Sequence, residues 1–582
     1  KTNVLTPTSS ISQHDLSTQA ALAVAKAQEK PKAKKASAKP RIGKLKWFDE
    51  TLRAQIMQMH NLTQFPRVKE LNEYINLYQR EFHPYFDFIH LQSITPKLEN
   101  HSILTSVACI GALYAFHSYH SMQLFSISRH NIREMLEDFS DHHKGQDILA
   151  PDFNLNISKD HSNKLYESSY YDGGELPLWL IQAMVLLSFV EIFHSSSSIN
   201  EQVATHLKTM IKLIQIKNLN KPLEKIINPP IDFNNKKGNK LGEENMKEIF
   251  DYFITAQSRI RTCHIVLLIS NLFTSLVGLD CRMHSVDLKE GGIPCLQEDL
   301  FHAASFKEWS KLLRVKYKIK LDSKFTLVEL SNGGDDYTHC LRYLSNNALS
   351  SMTDGAGNEV TFELDDFHSR RLSHSTLLSM LLSIHEKIFI ERSKNYNTIQ
   401  WELKSKPIIR QLMTTWEHLY LKNGGVFYDA SNLDTITQNP KMKLLLPLYN
   451  FAKLRKCLNI APIMKKIWLK NWAKLNEILD DLMFTCCSND EASAESYNKN
   501  LVREASIYCL DTIKLWIETV SFANNSEKSS INTPIFFITC IFSSIVILSV
   551  YLQVLEYMAT KVALVESDKK FWTQTEIVLQ KL

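Results

Sequence analysis

Glycine and proline are scarce in this sequence. The 582 residues include only 16 Gly and 17 Pro, which is about half the share of an average protein. A many-stranded β protein needs turn residues about every 8–12 positions, so the scarcity argues against that class. It also excludes collagen-like and Gly/Pro-rich low-complexity chains. We expect an all-α protein, a large multi-helical bundle or superhelix with few breaks.

Cysteine pairs at metal-binding spacing are also missing. The ten cysteines are scattered apart from Cys486-Cys487, and no C-x-x-C occurs. The sequence therefore contains no zinc finger of ordinary spacing. Ten cysteines are too few for a disulfide scaffold of this length, which favours a reducing compartment. We predict no metal site and no cofactor for this chain.

Catalytic motifs are absent as well. The sequence has no G-x-S-x-G and no P-loop, the motifs that mark many hydrolases and nucleotide-binding enzymes. His385-Glu386 begins like a zincin helix, but Phe389 stands where the second histidine belongs. His117 and His120 have no cysteines nearby, and we interpret them as helix-end or surface residues. We predict no catalytic residue and no enzyme activity.

The excess positive charge is small and local. The chain carries 67 Lys and Arg against 62 Asp and Glu. Residues 1–46 contain no aromatic side chain and too little apolar surface to offset the entropy of ordering, which predicts a disordered leader. Its first residue is Lys rather than Met, so we expect the natural protein to begin upstream. No signal peptide is visible at this start.

The leader contains a run of basic residues with no acidic residue after Glu29. The run consists of Lys30, Lys32, Lys34, Lys35, Lys39, Arg41, Lys44 and Lys46. Such a run is typical of a nuclear-import or phosphate-contacting segment. A soluble linker is the alternative interpretation.

From Trp47 onward, apolar residues follow the period of a helix. Leu71, Tyr74, Ile75, Tyr78 and Phe82 share one helix face. We predict one helical body over residues 47–582, and His83-Pro84 should end the helix before it because proline disfavours helical geometry in the preceding residue. Polar stretches at about 138–174, 217–245 and 331–367 predict loop insertions.

The segment Ile535–Leu552 raises the question of a membrane span. It contains no charged residue, and a span needs about 20 apolar residues. Thr539 and Ser543 lower the hydrophobicity of the segment, and no basic cluster flanks it to set an orientation. Large helical proteins also bury central helices that are apolar on all sides. We expect a buried helix and keep a membrane-anchored helical protein as the alternative.

Several segments together resemble a known family. Tyr74–His90, which ends in FHPYFDFIH, is similar to the opening of the "middle homology region", the regulatory domain of fungal zinc-finger transcription factors. Further segments resemble later helices and connections of that region in the same order. These are Ile103–Tyr114, Leu176–Leu187, Ser258–Thr262 (S-R-x-R-T), Ile293–Cys295 followed by Trp309, Leu444–Cys457 and the segment from Pro534.

The resemblance covers roughly residues 70–560 and points to the branch whose DNA-binding part is a pair of Cys2His2 fingers. Three positions depart from the pattern. Asp87 stands where a proline is common, Ile293 replaces a leucine, and Phe301 stands where a tryptophan is common.

The resemblance implies a nuclear regulator of RNA polymerase II genes. Zinc fingers upstream of Lys1 would bind both zinc and DNA, and the helical body would control activation and contact co-regulators. A homodimer is among the assemblies that the resemblance allows, and a generic helical scaffold is the alternative without it. If the body has a ligand pocket, we expect its lining to include Trp179, Gln182, Leu186, Arg259 and Arg261, on two largely apolar helices.

Overall fold

The structure is a computed structural model. It describes residues 44–142, 176–193, 197–230, 243–278, 282–288, 290–321, 323–349, 371–394, 398–487, 494–523 and 535–581. The chain divides into two units, residues 1–45 and 46–582, and the second is described below. Its described ranges form α-helices with short 3-10 and π-helical turns and no β-strand, which confirms the all-α prediction. One isolated bridge joins Gly292 and Asp336.

The first half of the body contains helices α1–α11. They are α1 (Glu50–Met59), α2 (Val68–Leu77), α3 (His101–Tyr114), α4 (Ser118–His142), α5 (Leu178–Ile192), α6 (Ser197–Ile216), α7 (Glu243–Val277), α8 (Glu298–Phe301), α9 (Phe306–Lys311), α10 (Lys324–Ser331) and α11 (Tyr337–Leu349).

The second half contains helices α12–α21. They are α12 (His374–Lys394), α13 (Thr398–Gln400), α14 (Lys406–Lys422), α15 (Leu433–Gln438), α16 (Pro440–Cys457), α17 (Ala461–Trp468), α18 (Trp472–Cys486), α19 (Ala494–Ala523), α20 (Ile535–Ala559) and α21 (Glu566–Leu579).

The core is organised around α7. This helix has 35 residues, which gives it a length of about 50 Å. Helices α5, α6, α9, α10, α12 and α17 pack around it. Its side chains from Ile249 to Phe273 are buried on nearly every face, as expected of a central helix that is apolar all round. Residues along α7 therefore lie close to several other helices.

The N-terminal part is a tightly packed set of α2, α3 and α4. A Cβ atom at Gly111 in α3 would lie 1.9 Å from the carbonyl oxygen of Tyr74 in α2. Only glycine permits that approach. The predicted end of α2 is also confirmed, because a π-helical turn (Tyr78–Phe82) closes on His83 before Pro84.

The predicted loops differ from the structure at several points. Helix α11 (Tyr337–Leu349) lies inside the segment 331–367, and its Tyr337, Cys340 and Leu344 are buried. The polar composition of that segment hid a helical period of apolar residues. Helix α7 begins within the predicted loop 217–245, and α4 continues into 138–174 as far as His142. Residues 143–175, 231–242 and 350–370 lie outside the described ranges.

Helix α20 is the apolar segment that resembles a membrane span. By length and composition, Phe537–Ala559 could cross a bilayer. In this fold the helix packs against α16, α18 and α19. Its Tyr551 hydroxyl lies 3.0 Å from Asp568 Oδ1 in a buried contact. Most of the span is buried in the body, whereas Ile538, Phe542 and Ile545 are exposed.

Candidate functional site

A buried group of charged side chains lies at the centre of the body. Its anion is Asp87, in the segment after Pro84, with a side chain that is 6% exposed. Arg261 from the middle of α7 and Lys441 from the first turn of α16 supply the cations, and both are buried. His302, which follows α8, reaches the group from its edge. We call these four residues the Asp87 cluster.

The distances in the Asp87 cluster are those of charge-assisted hydrogen bonds. Arg261 Nη1 donates to Asp87 Oδ2 at 2.6 Å, and Lys441 Nζ donates to Oδ1 at 2.6 Å. His302 Nε2 lies 3.1 Å from Oδ2. Both carboxylate oxygens therefore have partners, as a buried carboxylate requires.

Local structure explains why the cations need this carboxylate. A lysine in the first turn of a helix meets the positive end of the helix dipole, which is unfavourable. Lys441 occupies that position, where Asn439 Oδ1 accepts from its backbone N–H at 3.0 Å. The Asp87 carboxylate supplies the negative charge there. Arg261 gains a second contact, since its guanidinium lies 4.4 Å from the centre of the Phe301 ring.

The charges of the cluster shift the pKa values of its members. Burial alone would raise the pKa of Asp87, but Arg261, Lys441 and His302 outweigh burial and hold that pKa well below its usual range. Burial lowers the pKa of the neighbouring His83 to about 3, with His302 acting in the same direction. The carboxylate is therefore ionised and His83 is neutral near pH 7.

A small cavity adjoins the Asp87 cluster. Its volume is about 40 Å³, and Asp87, Arg261 and Lys441 line it together with residues of α7 and α12. A water molecule needs roughly 10–15 Å³ of such space, whereas ligand pockets measure about 300–1,000 Å³. The cavity has room for a few waters and is too small for a ligand. The cluster joins elements that are distant in the chain, and its geometry points to a structural anchor.

The predicted pocket residues occupy several different environments. Arg261 lines the cavity beside Asp87, whereas Trp179, Gln182, Leu186 and Arg259 do not. Gln182 Nε2 donates to the Phe88 carbonyl at 3.1 Å and to Thr262 Oγ1 at 3.2 Å. Leu186 is fully buried and Trp179 is half-buried. The buried Gln182 thus joins α5 to α7, where the sequence suggested a ligand pocket.

Arg259 has a capping role. Its Nη2 donates to the Asn218 carbonyl at 2.7 Å, just beyond the end of α6. A cation at the C-terminal end of a helix is favourable. Of the two arginines, only Arg261 has an acidic side chain among its hydrogen-bond partners in the described ranges.

The basic run of the leader lies mainly outside the described residues. Lys30, Lys32, Lys34, Lys35, Lys39 and Arg41 belong to that part. Lys44 and Lys46 are described, and both are exposed. Their role in import or phosphate contact stays a prediction.

The histidines that the sequence analysis set aside lie in ordinary structural positions. The Tyr74 hydroxyl lies 2.6 Å from Nδ1 of both His117 and His120. His385 Nε2 lies 3.0 Å from the Leu448 carbonyl. In the part of the chain that the structure describes, no group of three His, Cys, Asp or Glu side chains could hold a metal ion.

Sequence reasoning missed two members of the Asp87 cluster. Lys441 and His302 lie 354 and 215 positions from Asp87. No local pattern connects residues so far apart. The sequence did contain one signal. Asp87 stands where the resembled family usually has proline, and an aspartate in an aromatic segment needs a polar or charged partner.

The chain is similar to two curated proteins of Saccharomyces cerevisiae. It is 40% identical over 541 residues to "Probable transcription factor TDA9", an alignment that covers 89% of this chain and 38% of that protein. It is 36% identical over 572 residues to "Respiration factor 2", covering 92% of this chain and 37% of that protein. The chain thus spans less than two-fifths of the length of these relatives. No family model matches the chain, and no solved structure matches it.

Proposed function

We propose that this chain is the helical regulatory part of a fungal transcription regulator that acts on RNA polymerase II genes. The observation that carries the proposal is the similarity over about nine-tenths of the chain to a yeast protein named as a probable transcription factor. The ordered motifs from Tyr74 to the last core helix support the same assignment.

In this proposal the body does not read DNA. Residues 1–46 hold ten Lys and Arg against two Asp and Glu, which leaves 57 basic and 60 acidic residues for 47–582. Tight phosphate binding needs an excess of basic residues on one face. We assign base reading to Cys2His2 fingers outside this chain, and with them the zinc and the contact with DNA.

A gel shift tests the assignment of DNA reading. The chain 1–582 is titrated against a random-sequence duplex library at two salt concentrations. We expect weak binding that falls steeply with salt and enriches no motif, because only the leader contacts phosphates. A variant with the eight basic residues of residues 30–46 replaced by Gln is the control and should lose even this binding. Nanomolar binding to a defined motif would overturn the assignment.

The leader is proposed to direct the chain to the nucleus. A fluorescent fusion of residues 1–582 should accumulate there, and the eight-residue Gln variant should spread through the cytoplasm. The matched control replaces eight exposed Lys or Arg residues of the body. Equal nuclear accumulation of all three proteins would contradict this role for the leader.

We assign the body a binding role and no catalysis. Its partners in this proposal are transcriptional co-regulators, with a homodimer as a further assembly. The absence of known catalytic motifs in the sequence supports this view. So does the Asp87 cluster, whose ion pairs connect distant elements of the body. Membrane anchoring through Ile535–Leu552 is the alternative, and the contacts of α20 inside the body do not favour it.

A further inference from the structure

A second cavity shares no lining residue with the cavity beside Asp87. Helices α4, α5 and α6 enclose about 310 Å³, which falls at the lower end of the range for small-ligand pockets. Its floor is apolar, since Ile132, Leu136, Met184 and Leu187 line it and are all at most 5% exposed. The space is therefore of ligand size, unlike the cavity beside Asp87.

Cationic groups line the other side of this cavity. Arg129 and Arg133 of α4 and His206 of α6 belong to the lining, and Glu137 is the one carboxylate among the described residues that line it. Arg133 Nε donates to Glu137 at 2.7 Å in an exposed pair, so these two charges largely cancel. Arg129 donates to the neutral Gln202 amide oxygen and keeps its full charge toward the cavity.

His206 is held by a carboxylate behind it. Glu191 of α5 is fully buried, and His206 Nδ1 lies 2.7 Å from each of its two oxygens. This contact fixes the ring and assigns the proton to Nδ1, which leaves Nε2 for another partner. One oxygen of Glu191 has no hydrogen bond of good geometry.

We propose that this cavity binds a small amphipathic carboxylate. The ligand carboxylate would contact Arg129, and its hydrocarbon part would pack on Ile132, Leu136, Met184 and Leu187. A guanidinium group is a strong partner for a carboxylate. Burial of each methylene on the apolar floor adds affinity without a polar cost. This inference does not depend on a role in transcription.

Calorimetric titration of the chain 1–582 with decanoate tests the proposal. Decanol is the paired probe, because it has the same hydrocarbon chain without the charge. We expect decanoate to bind at least about tenfold more tightly than decanol, as removal of a charge-assisted contact implies. Binding of neither probe, or equal binding of both, would overturn the proposal.

Two variants locate the binding site. Arg129→Gln should weaken decanoate binding about tenfold, and Arg314→Gln, an exposed arginine elsewhere on the body, should not. Thr205→Trp places an indole at the exposed rim of the cavity and should abolish binding. Its control is Gln215→Trp, an exposed position on the same helix. Rim substitutions spare the core, so thermal unfolding should match the parent chain. Unchanged affinity in both Arg129→Gln and Thr205→Trp would refute this location.

Discussion

Arg261 donates to Asp87 at 2.6 Å, and neither side chain exposes more than 6% of its surface. The two residues lie 174 positions apart. Their contact fixes the segment after Pro84 against the central helix α7, and Lys441 fixes the same segment against α16. A single carboxylate therefore joins three distant parts of the chain.

Removal of the Asp87 carboxylate should destabilise the body strongly. Asp87→Ala leaves Arg261 and Lys441 as uncompensated buried cations, which costs about 3–5 kcal/mol of the free energy of unfolding. Urea titration of the purified chain measures the loss. The control is Asp299→Ala, because the Asp299–Lys316 pair is half-exposed and such pairs contribute about 1 kcal/mol or less. Similar losses in the two variants would contradict the anchoring role of Asp87.

Gly111 tests packing against helix propensity. In an open helix, Gly→Ala stabilises by about 1 kcal/mol. A Cβ atom here would instead meet the Tyr74 backbone at 1.9 Å, so α2 and α3 would have to separate. We expect Gly111→Ala to destabilise the body by about 1–3 kcal/mol or more, as overpacked sites do.

The control for this substitution is Gly424→Ala, where nothing lies within 4 Å but the backbone φ is +82°. It should cost only about 1 kcal/mol, the strain of a left-handed backbone. Urea unfolding of both variants gives the comparison. If Gly111→Ala stabilised the chain, α2 and α3 would have room for a Cβ atom at this position, which the 1.9 Å approach excludes.

The order of the helices could largely be predicted from the sequence, because the helical period and the proline positions are local signals. Helix α11 was missed since its apolar residues, such as Tyr337 and Cys340, are spaced through a polar segment. The Asp87 cluster could not be predicted, because Lys441 and His302 reach Asp87 only through tertiary packing. Gln182 was singled out as possible pocket lining, whereas it joins α5 to α7 through two hydrogen bonds whose acceptors could not be named from the sequence.

Buried histidines should make the body sensitive to acid. Burial lowers the pKa of His83 and His385 to about 3, and that of His264 to about 4. An unfolded histidine has a pKa of about 6.5. The stability that these neutral histidines contribute is therefore complete above about pH 6.5 and falls as the pH drops toward 4. The pKa of Asp87 is lowered in the fold, so its contribution is lost only at still lower pH.

His264→Gln provides the measurement of this pH effect. The free energy of unfolding, followed by urea titration between pH 6 and pH 4.5, should fall less steeply by about 1 kcal/mol per pH unit than in the parent chain. His418→Gln is the control, because His418 is exposed. An unchanged slope in His264→Gln would mean that His264 does not titrate in this way.

The contacts of α20 predict behaviour during cell fractionation. Because the helix packs against α16, α18 and α19, the chain should be recovered in the supernatant after alkaline extraction of membranes. A variant of the chain fused to a known membrane span serves as the retained control. Retention of the unfused chain in the pellet would support the membrane-anchored alternative.

The most direct test of the account is a reporter assay with the chain tethered to DNA. Residues 1–582 are fused to a heterologous DNA-binding domain, and reporter transcription is compared with that of the DNA-binding domain alone and of an Asp87→Ala fusion at matched protein level. The account predicts a change in transcription from the intact chain that the Asp87→Ala fusion largely loses. Transcription equal to that of the DNA-binding domain alone would contradict a regulatory role for this body.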